Sequence, residues 1–99
     1  MKKIEIKIEN DQLCYLGHLT VDTAEEALAL SKLYFKNQKS VTINLKGVTS
    51  CDSAALALMI ALMRFAKKQN VSLKFVNLPK QVTDIARVSG IDSFLPYAS

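Results

Sequence analysis

Val41-Thr42-Ile43-Asn44-Leu45, then Lys46-Gly47-Val48-Thr49-Ser50-Cys51-Asp52-Ser53, then Ala54-Ala55-Leu56-Ala57-Leu58-Met59-Ile60-Ala61-Leu62-Met63: the chain passes here from a β-branched run through a polar segment into an apolar one. The first run has the composition of a strand. The second reads as a loop whose last residues, Asp52 and Ser53, are strong helix N-caps. The third, prolonged to about Gln69, has the spacing of a helix. Ser72-Leu73-Lys74-Phe75-Val76 then reads as another strand, so the segment as a whole is a β-α-β unit.

Outward toward the start, Ile4, Ile6 and Ile8 alternate with Glu5, Lys7 and Glu9, a period of two that turns the isoleucines to one face of a strand. Asn10-Asp11 makes a turn, and Leu13-Cys14-Tyr15-Leu16 returns as a second strand that Gly17 ends or bends. Asp22 stands three residues before Glu25, the spacing of a capping pair, and Ala27, Leu28, Leu30, Leu33 and Tyr34 recur at helical intervals, predicting a helix from about Thr23 to Phe35. Toward the other end, Pro79 suits the first turn of a third helix carrying Val82, Ile85 and Ala86, and Gly90 suits its end. The alternation predicts an α/β fold: a sheet with helices packed on it, in one domain spanning residues 1–99.

A chain of 99 residues supports one hydrophobic core and not two. Its 49% hydrophobic and 22% charged residues are the balance of a packed globule. The formal charge of +4 is spread, with Glu5, Glu9, Asp11, Glu25, Glu26 and Asp84 interleaved among the lysines and arginines and no aromatics placed among them to stack bases. A solvated mixed surface follows, and no nucleic acid is expected as a partner; a small nucleic-acid-binding protein, resting on the charge alone, is the remaining alternative. Cys14 and Cys51 lack metal-ligand spacing and read as buried thiols in a reducing compartment. Met1-Lys2-Lys3 is basic, but the alternating charges behind it cannot form the apolar part of a signal peptide. The run from Ala54 to Met63 is about half of a bilayer span, so no direct membrane insertion is expected.

Catalytic signatures are missing: there is no phosphate-binding glycine loop, no GxSxG, no HExxH, and His18 is the one imidazole. His18, after Gly17, reads as a turn or surface residue. No catalytic residue, metal or cofactor is expected.

Two features remain. A hydroxyl at Ser53 lies beside the free N–H groups and positive dipole end of a helix, where an added phosphate is favoured; the alternative is that Asp52 or Ser53 simply caps the helix. At about 100° per residue, Ala55, Leu58, Met59, Leu62, Phe65 and Ala66 fall on one side of that helix as its core face. Ala54, Ala57, Ala61, Arg64 and Lys68 fall on the other, with Ile60 and Lys67 at the margin. A small, apolar outer side calls for a cover, either another protein or this chain's own structure.

Val48-Thr49-Ser50-Cys51-Asp52-Ser53-Ala54-Ala55-Leu56-Ala57-Leu58-Met59 resembles the matching segment of the STAS domain family, named for sulfate transporters and anti-sigma-factor antagonists. The resemblance extends to Gly17-His18-Leu19-Thr20, Asn77-Leu78-Pro79 and Gly90-Ile91-Asp92-Ser93-Phe94, and so covers nearly the whole chain. It implies a non-enzymatic switch module with a mixed sheet on one side and helices on the other, and it makes Asp52-Ser53 the regulatory position. In the anti-sigma antagonists the matching serine is phosphorylated by a kinase-like anti-sigma factor, and the added charge abolishes binding.

Within the family, Leu56-Ala57-Leu58, the Gly-x-Leu-Thr element and Ala66-Lys67-Lys68-Gln69 are most similar to the cytoplasmic subunit of an ABC-type phospholipid transporter that maintains outer-membrane lipid asymmetry. That resemblance implies the transporter's ATPase subunit as partner, a cytoplasmic location peripheral to the inner membrane, and Asp52, Ser53, Ala54, Ala57, Ile60, Ala61 and Arg64 as the docking residues. An antagonist phosphorylated at Ser53 is the alternative. Ala54-Ala55 stands where relatives commonly have a glycine, which stiffens the helix start.

Overall fold

In the computed structural model, residues 3–90 and 97–98 are described. Met1 and Lys2, and Ile91-Asp92-Ser93-Phe94 of the resemblance, lie outside them. The alternating isoleucines form β1 (Ile4–Glu9), paired antiparallel with β2 (Gln12–Leu19) so that Glu9 faces Gln12 across a two-residue turn. Asn10 and Asp11 both take positive φ, 51° and 61°, the conformation that a tight hairpin demands and that Asn and Asp tolerate.

From β2 the chain proceeds through α1 (Ala24–Phe35), β3 (Ser40–Cys51), α2 (Ser53–Gln69), β4 (Ser72–Val76), α3 (Lys80–Val88) and β5 (Tyr97–Ala98). The sheet runs β1-β2-β3-β4-β5, with every neighbour after the first hairpin parallel. Because each crossover moves one strand in the same direction, right-handed connections place the helices on one face. Burial agrees: Leu13, Tyr15, Leu19, Val41, Ile43, Leu45 and Phe75 are buried, whereas Gln12, Cys14, Thr42 and Asn44, which alternate with them, are only partly so. On the open face Asn44 accepts from Asn77 and donates to Gln12, a polar row suited to water.

Of the two alternatives for Gly17, the structure shows the bend: β2 continues past it. Three local expectations are corrected. The segment Lys46–Ser53, expected as a loop, is strand as far as Cys51, the second half of β3, pairing with β2 through two register shifts, at Cys14/Leu16 and Gly17/His18. Such bulges let a turn-like sequence remain in a strand. Gly17, at φ 106°, passes so close to the chain start that a Cβ would lie 2.6 Å from the Lys3 carbonyl oxygen. His18 therefore stands within a strand, its Nδ1 bonded to Ser50 Oγ at 2.6 Å. Finally, α1 is preceded by Thr23 and not by Asp22: Thr23 Oγ1 accepts from the Thr20 amide and donates to the His18 carbonyl. The Asp22–Glu25 spacing played no part.

Candidate functional site

The second half of β3 delivers the chain to the corner where α2 begins. Asp52 is extended (φ −136°, ψ −167°), which aims its carboxylate back at the first turn: Oδ1 accepts from the Ala54 amide at 2.8 Å. Its other oxygen, Oδ2, accepts from the Val21 amide at 3.2 Å, in the turn that leads into α1. One side chain thus caps α2 and ties its start to that of α1. Capping falls to Asp52, and the exposed Ser53 hydroxyl makes no hydrogen bond among the described residues. It stands at the first helical position, beside N–H groups that no carbonyl of the helix can satisfy.

Cys51, just before, packs against the core. Burial first, then the neighbouring Asp52 carboxylate, push its thiol above the ordinary value, while a backbone hydrogen bond with Val82 opposes them. Burial and the Glu9 charge likewise raise Cys14, with a Glu9 backbone hydrogen bond opposing. Neither thiol is set up as a nucleophile, since the thiolate is the reactive form.

Along α2 the inner face consists of Ala55, Leu56, Leu58, Met59, Leu62 and Ala66, all buried. Leu56, which the helical spacing of the core face leaves out, is buried too: it lies about 20° from Met63 and about 100° from Ala55, so the buried arc is wider than the spacing predicts. Phe65, expected in the core, is only partly buried: its ring meets Phe35 at 5.6 Å between centroids and carries Lys32 Nζ at 5.2 Å. Of the outer residues, Ser53, Ala57 and Arg64 are exposed, Asp52, Ala54 and Ala61 half-buried, and Ile60 half-buried against the core. Ala54, Ala57 and Ala61, with Ala24, Glu25 and Leu28 of α1, line a shallow, mostly apolar groove of about 240 Å³ between the two helices. Val21, 74% exposed, stands beside the Ser53 end, held there by the hydrogen bond its backbone N–H donates to Asp52.

The structure therefore brings Asp52, Ser53, Ala54, Ala57, Ala61 and Arg64 onto one accessible surface and turns Ile60 partly away from it. The sequence reading missed Ala24, Leu28 and Val21, because α1's share of this surface depends on how the two helices pair. Among the described residues no group of three or more His, Cys, Asp or Glu could hold a metal ion, and no helix is long and apolar enough to cross a membrane.

A mixed sheet covered on one face by three helices, with a capped but accessible helix start at the end of its third strand, defines a small α/β module of the STAS type. The chain belongs to the STAS family: residues 5–96 match the family model described as "Mlab, STAS domain". No curated protein matches it.

Solved structures share the fold at low identity. The anti-sigma factor antagonist SpoIIAA in its unphosphorylated form is 14% identical with a TM-score of 0.66, covering 100% of this chain and 89% of that one. A putative anti-sigma factor antagonist from Thermotoga maritima is 17% identical, again at 0.66, over 97% and 86% of the two chains. The phosphorylated form of the Bacillus cell fate determinant SpoIIAA is 14% identical at 0.63, over 100% and 92%.

Proposed function

We propose that this chain is a non-catalytic, MlaB-like subunit of an ABC-type phospholipid transport complex in the cytoplasm, where it docks on and stabilises the ATPase subunit and so serves outer-membrane lipid asymmetry. The observation that carries this reading is the accessible apolar flank of α2, centred on Ala57 and beginning at the exposed Ser53 hydroxyl. An isolated domain places charge at such positions. The family description and the resemblance of Leu56-Ala57-Leu58 support the choice of partner.

The test is affinity for the purified ATPase subunit from the same cell. Ala57→Arg puts a bulky charge on the flank, and Ser53→Glu adds charge at its start; each weakens binding about tenfold or more while leaving the circular dichroism spectrum unchanged. Unchanged affinity for both variants removes the assignment.

The second reading is an antagonist of a kinase-like anti-sigma factor. It is favoured by the exposed Ser53 hydroxyl, without a hydrogen bond among the described residues, at a helix start where a phosphate is stabilised by the dipole and the open N–H groups. It requires one phosphate by intact mass on the wild type after incubation with that kinase, and none on Ser53→Ala.

A further inference from the structure

Arg64, Lys67 and Lys68 lie within five positions of the sequence, and folding adds Lys32 of α1 to them. Lys32 of α1 and Arg64, Lys67 and Lys68 of α2 surround Phe65 along an open groove of about 570 Å³. Among the described residues none of the four pairs with a carboxylate; the ion pairs that form lie elsewhere, at Glu5–Lys7 and around Asp84. Lys67 and Lys68 sit in the last turn, where they offset the helix dipole. Arg64 lies a turn earlier, beyond the reach of that explanation. Ala61 lines this basic groove and the apolar groove above it, so the two are halves of one seam between α1 and α2. From Ala54 to Arg64 is about 15 Å along the helix axis.

We propose that the α1–α2 seam receives an amphipathic helix of the partner protein that sets small apolar residues on Ala57 and Ala61 and carboxylates, two to three turns further along, on Lys32, Arg64 and Lys68. The inference rests on the docking reading above and adds the chemistry of what docks. Unpaired like charges gathered at one end of an apolar seam are complementary to an acidic segment, and a rim of this kind acts mainly on association rate. A partner that was apolar throughout would leave four cations facing an uncharged surface.

Two measurements test it. The ¹⁵N-labelled chain is titrated with a synthetic helical peptide bearing alanine and leucine along one face and glutamates at one end, and with a twin carrying lysines in their place. Shifts at Ala57, Ala61, Arg64 and Phe65 with the acidic peptide alone are the expected result; equal shifts with the twin, or none with either, overturn the proposal. With the purified ATPase subunit, Arg64→Glu/Lys68→Glu slows association about tenfold, as does raising salt from about 0.1 M to about 1 M, which shortens the screening length from about 10 Å to about 3 Å.

If Ala57→Arg abolishes ATPase binding while the double variant and salt leave it unaltered, the acidic helix is wrong and the docking reading stands. If neither variant has an effect, both fall. If phosphatidylglycerol vesicles bind the wild type and not the double variant, with the ATPase indifferent to it, the seam serves a lipid surface and the proposal is overturned.

Discussion

Both flanks of α2 carry alanines, and these meet opposite fates. Ala55, fully buried, and Ala57, exposed, differ by two positions and about 160° of helix rotation. The inner flank is covered by the sheet, and the outer one is left open between α1 and solvent. Side-chain chemistry alone does not decide burial here; the one-sided layering of the fold does. An apolar surface that the fold does not cover contributes nothing to folding, which is why its presence bears on what the chain binds.

The sharpest way to break that comparison is to alter both flanks and measure stability. Leu62→Ala removes buried methyl groups from the centre of the core and costs about 2–5 kcal/mol in a urea melt. Ala57→Arg, on the open flank, stays within about 0.5 kcal/mol of wild type. A large loss from Ala57→Arg would mean that this chain covers the flank itself.

A second contrast sets the closed joint between β2 and α1 against the open corner at Asp52. The Tyr15 hydroxyl and Ser31 Oγ form a buried hydrogen bond there. Burial pushes the Tyr15 pKa from 10.0 to about 12, and the Ser31 bond only partly counters it. Tyr15→Phe leaves the Ser31 hydroxyl short of a partner and costs about 1–3 kcal/mol at neutral pH. The sign of the pH effect follows from the raised value: the fold favours the neutral phenol, so stability is intact below about pH 10 and falls as pH rises toward about 12. The Phe variant lacks that loss, which a pair of urea titrations at neutral and alkaline pH will show.

At the corner itself Asp52 and Ser53 separate cleanly. Asp52→Ala removes the cap on α2 and the tie to Val21 and costs about 0.5–2 kcal/mol, whereas Ser53→Ala, which breaks no bond among the described residues, stays within about 0.5 kcal/mol.

Much of this was legible in the sequence, and the failures share a cause. Period-two alternation gave β1, and the Asp52-Ser53 signal placed the start of α2 correctly, because caps and alternation are local. Lys46–Ser53 reads as a loop because Lys46-Gly47 is turn chemistry by local rules; pairing with Leu16–Leu19 through bulges makes its first part, as far as Cys51, a strand. The site divides the same way. Asp52 and Ala57 follow from spacing along one helix, while Val21, Leu28 and the gathering of Lys32 with Arg64 and Lys68 depend on how α1 lies against α2. A sum over the sequence records the charge but not its convergence.

The smallest effect expected is also the most local. If Asp52 holds the Cys51 thiol up by charge in addition to burial, then Asp52→Asn, which keeps a good N-cap, lowers the pH midpoint of Cys51 alkylation without loosening the helix. Cys14 supplies the internal control: its thiol is raised by its own burial and by Glu9, far from the substitution in sequence, so its alkylation rate stays fixed. Faster reaction at both thiols would mean that the variant opens the fold, and the charge argument at the corner would fail. Faster reaction at Cys51 alone leaves Asp52 with three roles, as cap, as tether and as a charge that adds to the effect of burial in raising the Cys51 thiol.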